Sequence, residues 1–207
     1  MSGGNEPVEE REARATLGRL GGTFVRDVRA GQTVPPVTAP TDLVQRYLVG
    51  ALATAAGAGR GSVVLRFEPL LWDTGADQLL IHLAKATLQT GPGFVDLRLP
   101  VHCDETGAAD VVTTYLTAAP ERPHGFVLAS EDRPRGPALV VQVWGEALVA
   151  LGWRALVELA RMVAAARGTS ASGLPLVAST VVAGPEGLTV TAMGAHRYGT
   201  GLGGSTR

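Results

Sequence analysis

Lysine is almost missing from this chain: of its 18 basic residues only Lys85 is a lysine, and the rest are arginines. Those arginines stand singly and not in one basic segment, and nineteen acidic residues leave a formal net charge of −1. No field of either sign gathers nucleic acid or an anionic lipid surface. Aromatic residues make up 5% of the chain, too few and too dispersed for a base-stacking platform. With Cys103 as the only cysteine, no internal disulfide forms, and a reducing, cytoplasmic compartment is the simpler expectation. Long apolar runs are absent too. The longest tract is interrupted by Arg154, Glu158 and Arg161 well short of the ~20 residues that a membrane span needs. Glu6, Glu9, Glu10 and Glu12 occupy the place where a secretory signal has a basic start and an apolar middle.

What is abundant is Ala, Gly, Val, Arg and Pro together, the bias of GC-rich codons as in actinobacteria and their phages. At 207 residues the chain holds one domain with trimmings. The expected division is an N-terminal arm with a Pro-rich connector over 1–40, a single α+β domain over 41–198 and a flexible Gly-rich tail over 199–207. In the arm, Leu17, Leu20, Phe24 and Val28 are apolar spots suited to docking on a partner, and GQTVPPVTAP reads as an extended, polyproline-like connector.

Residues 146–167 have the clearest periodicity. Leu148, Leu151, Ala155, Leu156, Leu159, Met162 and Val163 recur at three- and four-residue intervals opposite Arg154, Glu158 and Arg161, which predicts the main core helix. Thr41 and Asp42 after Pro40 predict an N-cap. The helix they open presents Leu43, Tyr47, Leu48, Ala51, Leu52 and Ala55 as a stripe of small and apolar residues. Ser62–Leu70 alternates as a strand, and Ala76–Thr90 reads as a second helix capped by Asp73 or Thr74. Three hairpins complete the pattern. Val95–Cys103 turns through DETG into Val111–Thr117, Gly125–Ser130 turns through EDRPRG into Ala138–Trp144, and Leu174–Val182 turns through AGPEG into Leu188–Met193. The expected fold is α+β: an antiparallel sheet of about six or seven strands covered by two or three helices. Many of the strands read as apolar on both faces, so an oligomer is expected.

Chemistry is sparse. Leu70-Leu71-Trp72-Asp73-Thr74-Gly75-Ala76-Asp77 resembles the active-site loop of the retropepsin-like aspartic proteases, in which two apolar residues lead into Asp-Thr-Gly-Ala. Ala150-Leu151-Gly152 ahead of Trp153 is similar to that family's later apolar-apolar-Gly. The resemblance implies a homodimer in which Asp73 of each copy shares one proton, Thr74 braces the loop and Gly75 permits its turn. His102-Cys103-Asp104-Glu105, with His124, is the other group with a nucleophile or metal ligands, but strand alternation sends Cys103 and His102 to opposite faces. His82 and His196 have no partners at helical spacing. Gly199, Gly201 and Gly204 match a dinucleotide spacing with no helix after them, so no cofactor is expected, and no metal. The expected function is a non-enzymatic assembly or adaptor subunit that binds copies of itself or a larger protein complex through its arm and an apolar sheet face. The dimeric aspartic protease is the alternative.

Overall fold

The computed structural model describes residues 33–57, 69–119, 122–131, 133–166 and 176–194. The arm residues Leu17, Leu20, Phe24 and Val28, residues 62–68 of the strand expected over Ser62–Leu70, His196 and the Gly-rich tail lie outside the described residues. The fold is α+β, and among the described residues it has two helices, a six-stranded antiparallel sheet and a three-stranded antiparallel sheet. Along the chain come β1 (Thr33–Pro40), α1 (Thr41–Ala55), β2 (Leu70–Asp73), β3 (Gln78–Ile81), β4 (Thr87–Gly91) and β5 (Phe94–Cys103). Then follow β6 (Gly107–Ala119), β7 (Arg122–Ala129), α2 (Ala138–Ala165), β8 (Leu176–Gly184) and β9 (Gly187–Gly194).

The large sheet runs β2-β3-β5-β6-β7, with β4 also on β5. Ile81 pairs with Val101 and Thr87 with Arg98, so β3 and β4 occupy successive lengths of the same β5 edge. A 3₁₀ turn at Leu83–Lys85 separates them and buries Leu83. Alternation gives the sheet one apolar face: Val95, Leu97, Leu99, Val101 and Cys103 of β5 are buried, with Val111 and Tyr115 of β6. The β5–β6 hairpin closes through Asp104–Thr106 onto Gly107, whose φ of 68° supplies the left-handed residue that a three-residue loop requires.

Helix α2 packs on this inner face through Val140, Trp144, Leu148, Leu151, Ala155, Leu156, Leu159 and Val163, and α1 packs beside it through Val44, Leu48, Ala51 and Leu52. The small-residue stripe of α1 thus serves a helix–helix contact, where Gly50 lies against Met162. The small sheet, in the order β1-β9-β8, meets the large one at a corner. There Gly93 N–H donates to the Ala183 carbonyl at 3.0 Å, and Ala183 N–H donates to Thr117 Oγ1 at 2.9 Å.

Four expectations are corrected. The Ala76–Thr90 helix is instead β3, the 3₁₀ turn and β4, because its apolar residues Leu79, Ile81, Leu83, Ala86 and Leu88 find a sheet edge to bury against. Ala138–Trp144 is not a strand but the first two turns of α2, which therefore has 28 residues and not the expected 22 or so. Its valines cost at most about 0.7 kcal/mol each in helix propensity. Burial of Val140 and Trp144 on one helical face returns roughly 2 kcal/mol or more apiece. Neither Thr41 nor Asp42 caps α1: Pro40 holds that position and Asp42 pairs with Arg46 at 2.9 Å in the first turn. The Pro-rich connector is extended but also hydrogen-bonded, as edge strand β1 on β9, with a register shift between Val34 and Val37 where Pro35 and Pro36 have no N–H to offer.

Candidate functional site

Asp73, in the loop that resembles a protease active site, lies at the end of β2 in an exposed hairpin turn and not at a helix start. Its carboxylate accepts from the Gly75 N–H at 2.6 Å and from the Gln78 side-chain amide at 2.9 Å. Thr74 Oγ1 accepts from Asp77 N–H at 3.1 Å, and Gly75 has a φ of 84°. These are the bonds of a tight two-stranded turn. The other acidic residue of the turn, Asp77, belongs to the same hairpin. Gly152 lies inside the unbroken α2, packed on Tyr115 and Leu97.

The second group separates as alternation requires. Cys103 is buried on the inner face and its thiol donates to Glu105 Oε2 at 2.6 Å, which lowers the Glu105 carboxyl below its ordinary range. His102 points outward, 3.9 Å from Asp104. His124 lies on β7, with its side chain outside the described part. Among the described residues no three His, Cys, Asp or Glu side chains converge as metal ligands, and no helix is long and apolar enough to cross a membrane.

What does converge lies on the outer face of the large sheet. Thr87, Gln89, Asp96, Arg98, Asp110, Val112 and Arg135 line a shallow open depression of about 320 Å³. Register explains the grouping: Arg98 lies between Thr87 and Val112, and Asp96 between Gln89 and Thr114, on adjacent strands. Arg135 joins through an isolated bridge to Val112 at the start of the α2 approach. Arg98 donates to the Asp110 carboxylate and holds it below the usual carboxylate range, chiefly by that hydrogen bond. Arg135 Nη2 lies 3.3 Å from Asp96 Oδ1 and donates to Thr114 Oγ1 at 3.0 Å, and the Thr114 hydroxyl in turn donates to Asp96. Two cations and two anions thus neutralise one another.

The next row along the sheet is apolar. Phe94 pairs with Leu116 and Leu116 with Leu128, so the three side chains cross β5, β6 and β7 on the outer face, and Leu128 is 63% exposed. At the opposite end and opposite edge of the same face are Leu80 and Leu71, the latter 51% exposed. On the large sheet the expectation of strands apolar on both faces is therefore met at these two ends, and most of the middle is polar. Asp96, Arg98, Asp110 and Thr114 belong to no sequence motif, because in the β5 and β6 alternation it is the apolar half that carries the core signal. The DETG turn fixes the register, and the other half of it places all four on one face.

No protein family, curated protein or solved structure matches the chain.

Proposed function

We propose that the chain is a non-enzymatic assembly or adaptor subunit of the cytoplasm that binds protein, as copies of itself or within a larger complex. The contacts are the outer face of the large sheet and the arm residues Leu17, Leu20, Phe24 and Val28. The observation that carries this reading is the row Phe94, Leu116, Leu128 on the face turned away from both helices. A solvated antiparallel sheet face is ordinarily polar throughout. An exposed apolar row on such a face, next to charges that are already mutually paired, is surface that a protein partner can cover. Because Arg98 and Arg135 already have carboxylate partners, a flat protein surface can approach without stripping an unpaired charge of its water. The buried Cys103, held by Glu105, fits a structural thiol in a reducing compartment.

Size-exclusion chromatography with light scattering on the full chain and on a chain starting after Arg29 tests the role of the arm. Full-length protein is expected above monomer mass, and the truncated form closer to it. Two identical monomers overturn the self-assembling form of the proposal.

The aspartic protease reading is supported by one observation, that Asp73 is exposed in a turn at the sheet edge, where the same turn of a second copy can reach it. It predicts peptide hydrolysis at acidic pH that Asp73→Asn abolishes with the fold intact. No hydrolysis in a dimeric preparation ends it.

A further inference from the structure

We infer that the occupant of the outer sheet face is a second copy of this chain, seated face to face about a two-fold axis. The inference rests on the proposed assembly role and names its partner.

Layout argues for self-complementarity. The exposed leucines occupy diagonal corners of the face, Leu128 with Leu116 at one end of the β6–β7 edge and Leu71 with Leu80 at the far end of the β2–β3 edge. Asp96, Arg98, Asp110 and Arg135 fill the middle. A two-fold axis lying in the face along the diagonal sets each apolar corner on its own counterpart, and an axis across that diagonal sets Leu128 on Leu71 of the copy. Either operation lays apolar on apolar and the charged middle on the charged middle, as an isologous contact demands.

Charge argues the same way. With two arginines and two aspartates the patch has no net sign to draw a strongly acidic or basic partner. It does have both signs to offer to its own image. Arg98 and Arg135 are 57% and 60% exposed at the side chain, and each reaches its carboxylate through Nη2 alone. A guanidinium has five N–H donors, so each arginine keeps donors free for an aspartate of the copy while holding its own.

Size sets the strength. From Phe94 to His102 the face runs eight residue steps at ~3.4 Å, and it spans five strand lines at ~4.8 Å. That is a footprint of roughly 500 Å² per copy, near the lower bound for a specific contact, so the dimer is expected to be weak, with a Kd on the order of micromolar.

Sedimentation velocity of the full chain up to about 200 µM tests this. The wild type is expected to pass from monomer to dimer across that range. Leu128→Asp and Leu71→Asp, both at exposed positions, are expected to weaken association at least tenfold with unchanged thermal melting. Arg98→Asp weakens it likewise, and adding Asp110→Arg restores it, because the exchanged pair is still its own complement. A dimer indifferent to all three single substitutions overturns this face as the contact and leaves the assembly reading standing on the arm. A chain that stays monomeric throughout overturns the second copy as occupant, and only the partner-binding form of the assembly reading then survives.

Discussion

Tyr115 shows how one side chain fastens a sheet to a helix. It is fully buried on β6, and its hydroxyl donates to the Val149 carbonyl of α2 at 2.8 Å. Burial raises its pKa well above the ordinary phenol value. The approach depends on Gly152, where a methyl group would collide with the Tyr115 hydroxyl and come within 2.8 Å of Leu97 Cδ2. Gly152→Ala gains about 1 kcal/mol of helix propensity, but overpacking against a rigid strand costs about 1–3 kcal/mol or more, so net destabilisation is expected. Tyr115→Phe removes the colliding oxygen and leaves the Val149 carbonyl without that donor, at about 1–3 kcal/mol. The two changes should therefore be less than additive: in the Tyr115→Phe background Gly152→Ala costs less than in the wild type, which urea unfolding of the four proteins measures. Strict additivity overturns the contact. Gly152 was legible in the sequence as a helical residue, since the periodicity runs through it, but its partner was not, because nothing local links position 152 to position 115.

Among the elements, those whose pattern closes locally were legible and those decided by a distant neighbour were not. The β5–β6 and β8–β9 hairpins carry both their alternation and their turn residues, and the structure has them where the sequence puts them. Leu79, Leu80 and Leu83 suit a helical face as well as Leu79, Ile81 and Leu83 suit a strand. The choice was made by Val101 and His102 on β5, to which β3 pairs. The corner between the two sheets likewise depends on a residue remote in sequence from both of its partners, beside the direct Gly93 N–H to Ala183 carbonyl bond. Thr117 is buried at 2% exposure, and its hydroxyl receives the Ala183 N–H while its own N–H donates to Gly93 at 2.9 Å. Thr117→Val keeps the shape and deletes the acceptor, leaving a buried N–H unsatisfied. A loss of roughly 1–3 kcal/mol is expected, with slower-exchanging amides at Ala183 becoming fast. Thr117→Ser, which keeps the oxygen, should recover most of it. If valine is tolerated and serine is not, packing and not the hydrogen bond holds the corner.

At the scale of the whole molecule, the sequence conveyed the class of the fold and the central place of α2 but not where the folded body begins. Proline-rich composition pointed to a connector, yet Thr33–Pro40 completes the small sheet, and Val37, Thr38, Ala39 and Pro40 register with Val190, Thr189, Leu188 and Gly187. The prolines are compatible with a strand because, among the described residues, β1 is an edge whose one strand neighbour is β9. The same placement gives β9 a neighbour on both sides and buries Ala39 in the core. It also brings Thr41 N–H to the Glu186 carbonyl at 3.2 Å, tying the start of α1 to the β8–β9 turn. Two truncations separate a dispensable arm from a structural strand. A chain starting at Thr33 keeps β1 and is expected to melt as the full chain does. A chain starting at Thr41 strips β9 of its neighbour along most of its length and exposes a new sheet edge, which costs on the order of 3 kcal/mol or more and invites edge-to-edge association. Its thermal midpoint should fall by several degrees and its light scattering should rise on standing. Equal melting of the two truncated chains would mean that β1 adds nothing to the body, and the domain would then begin at α1.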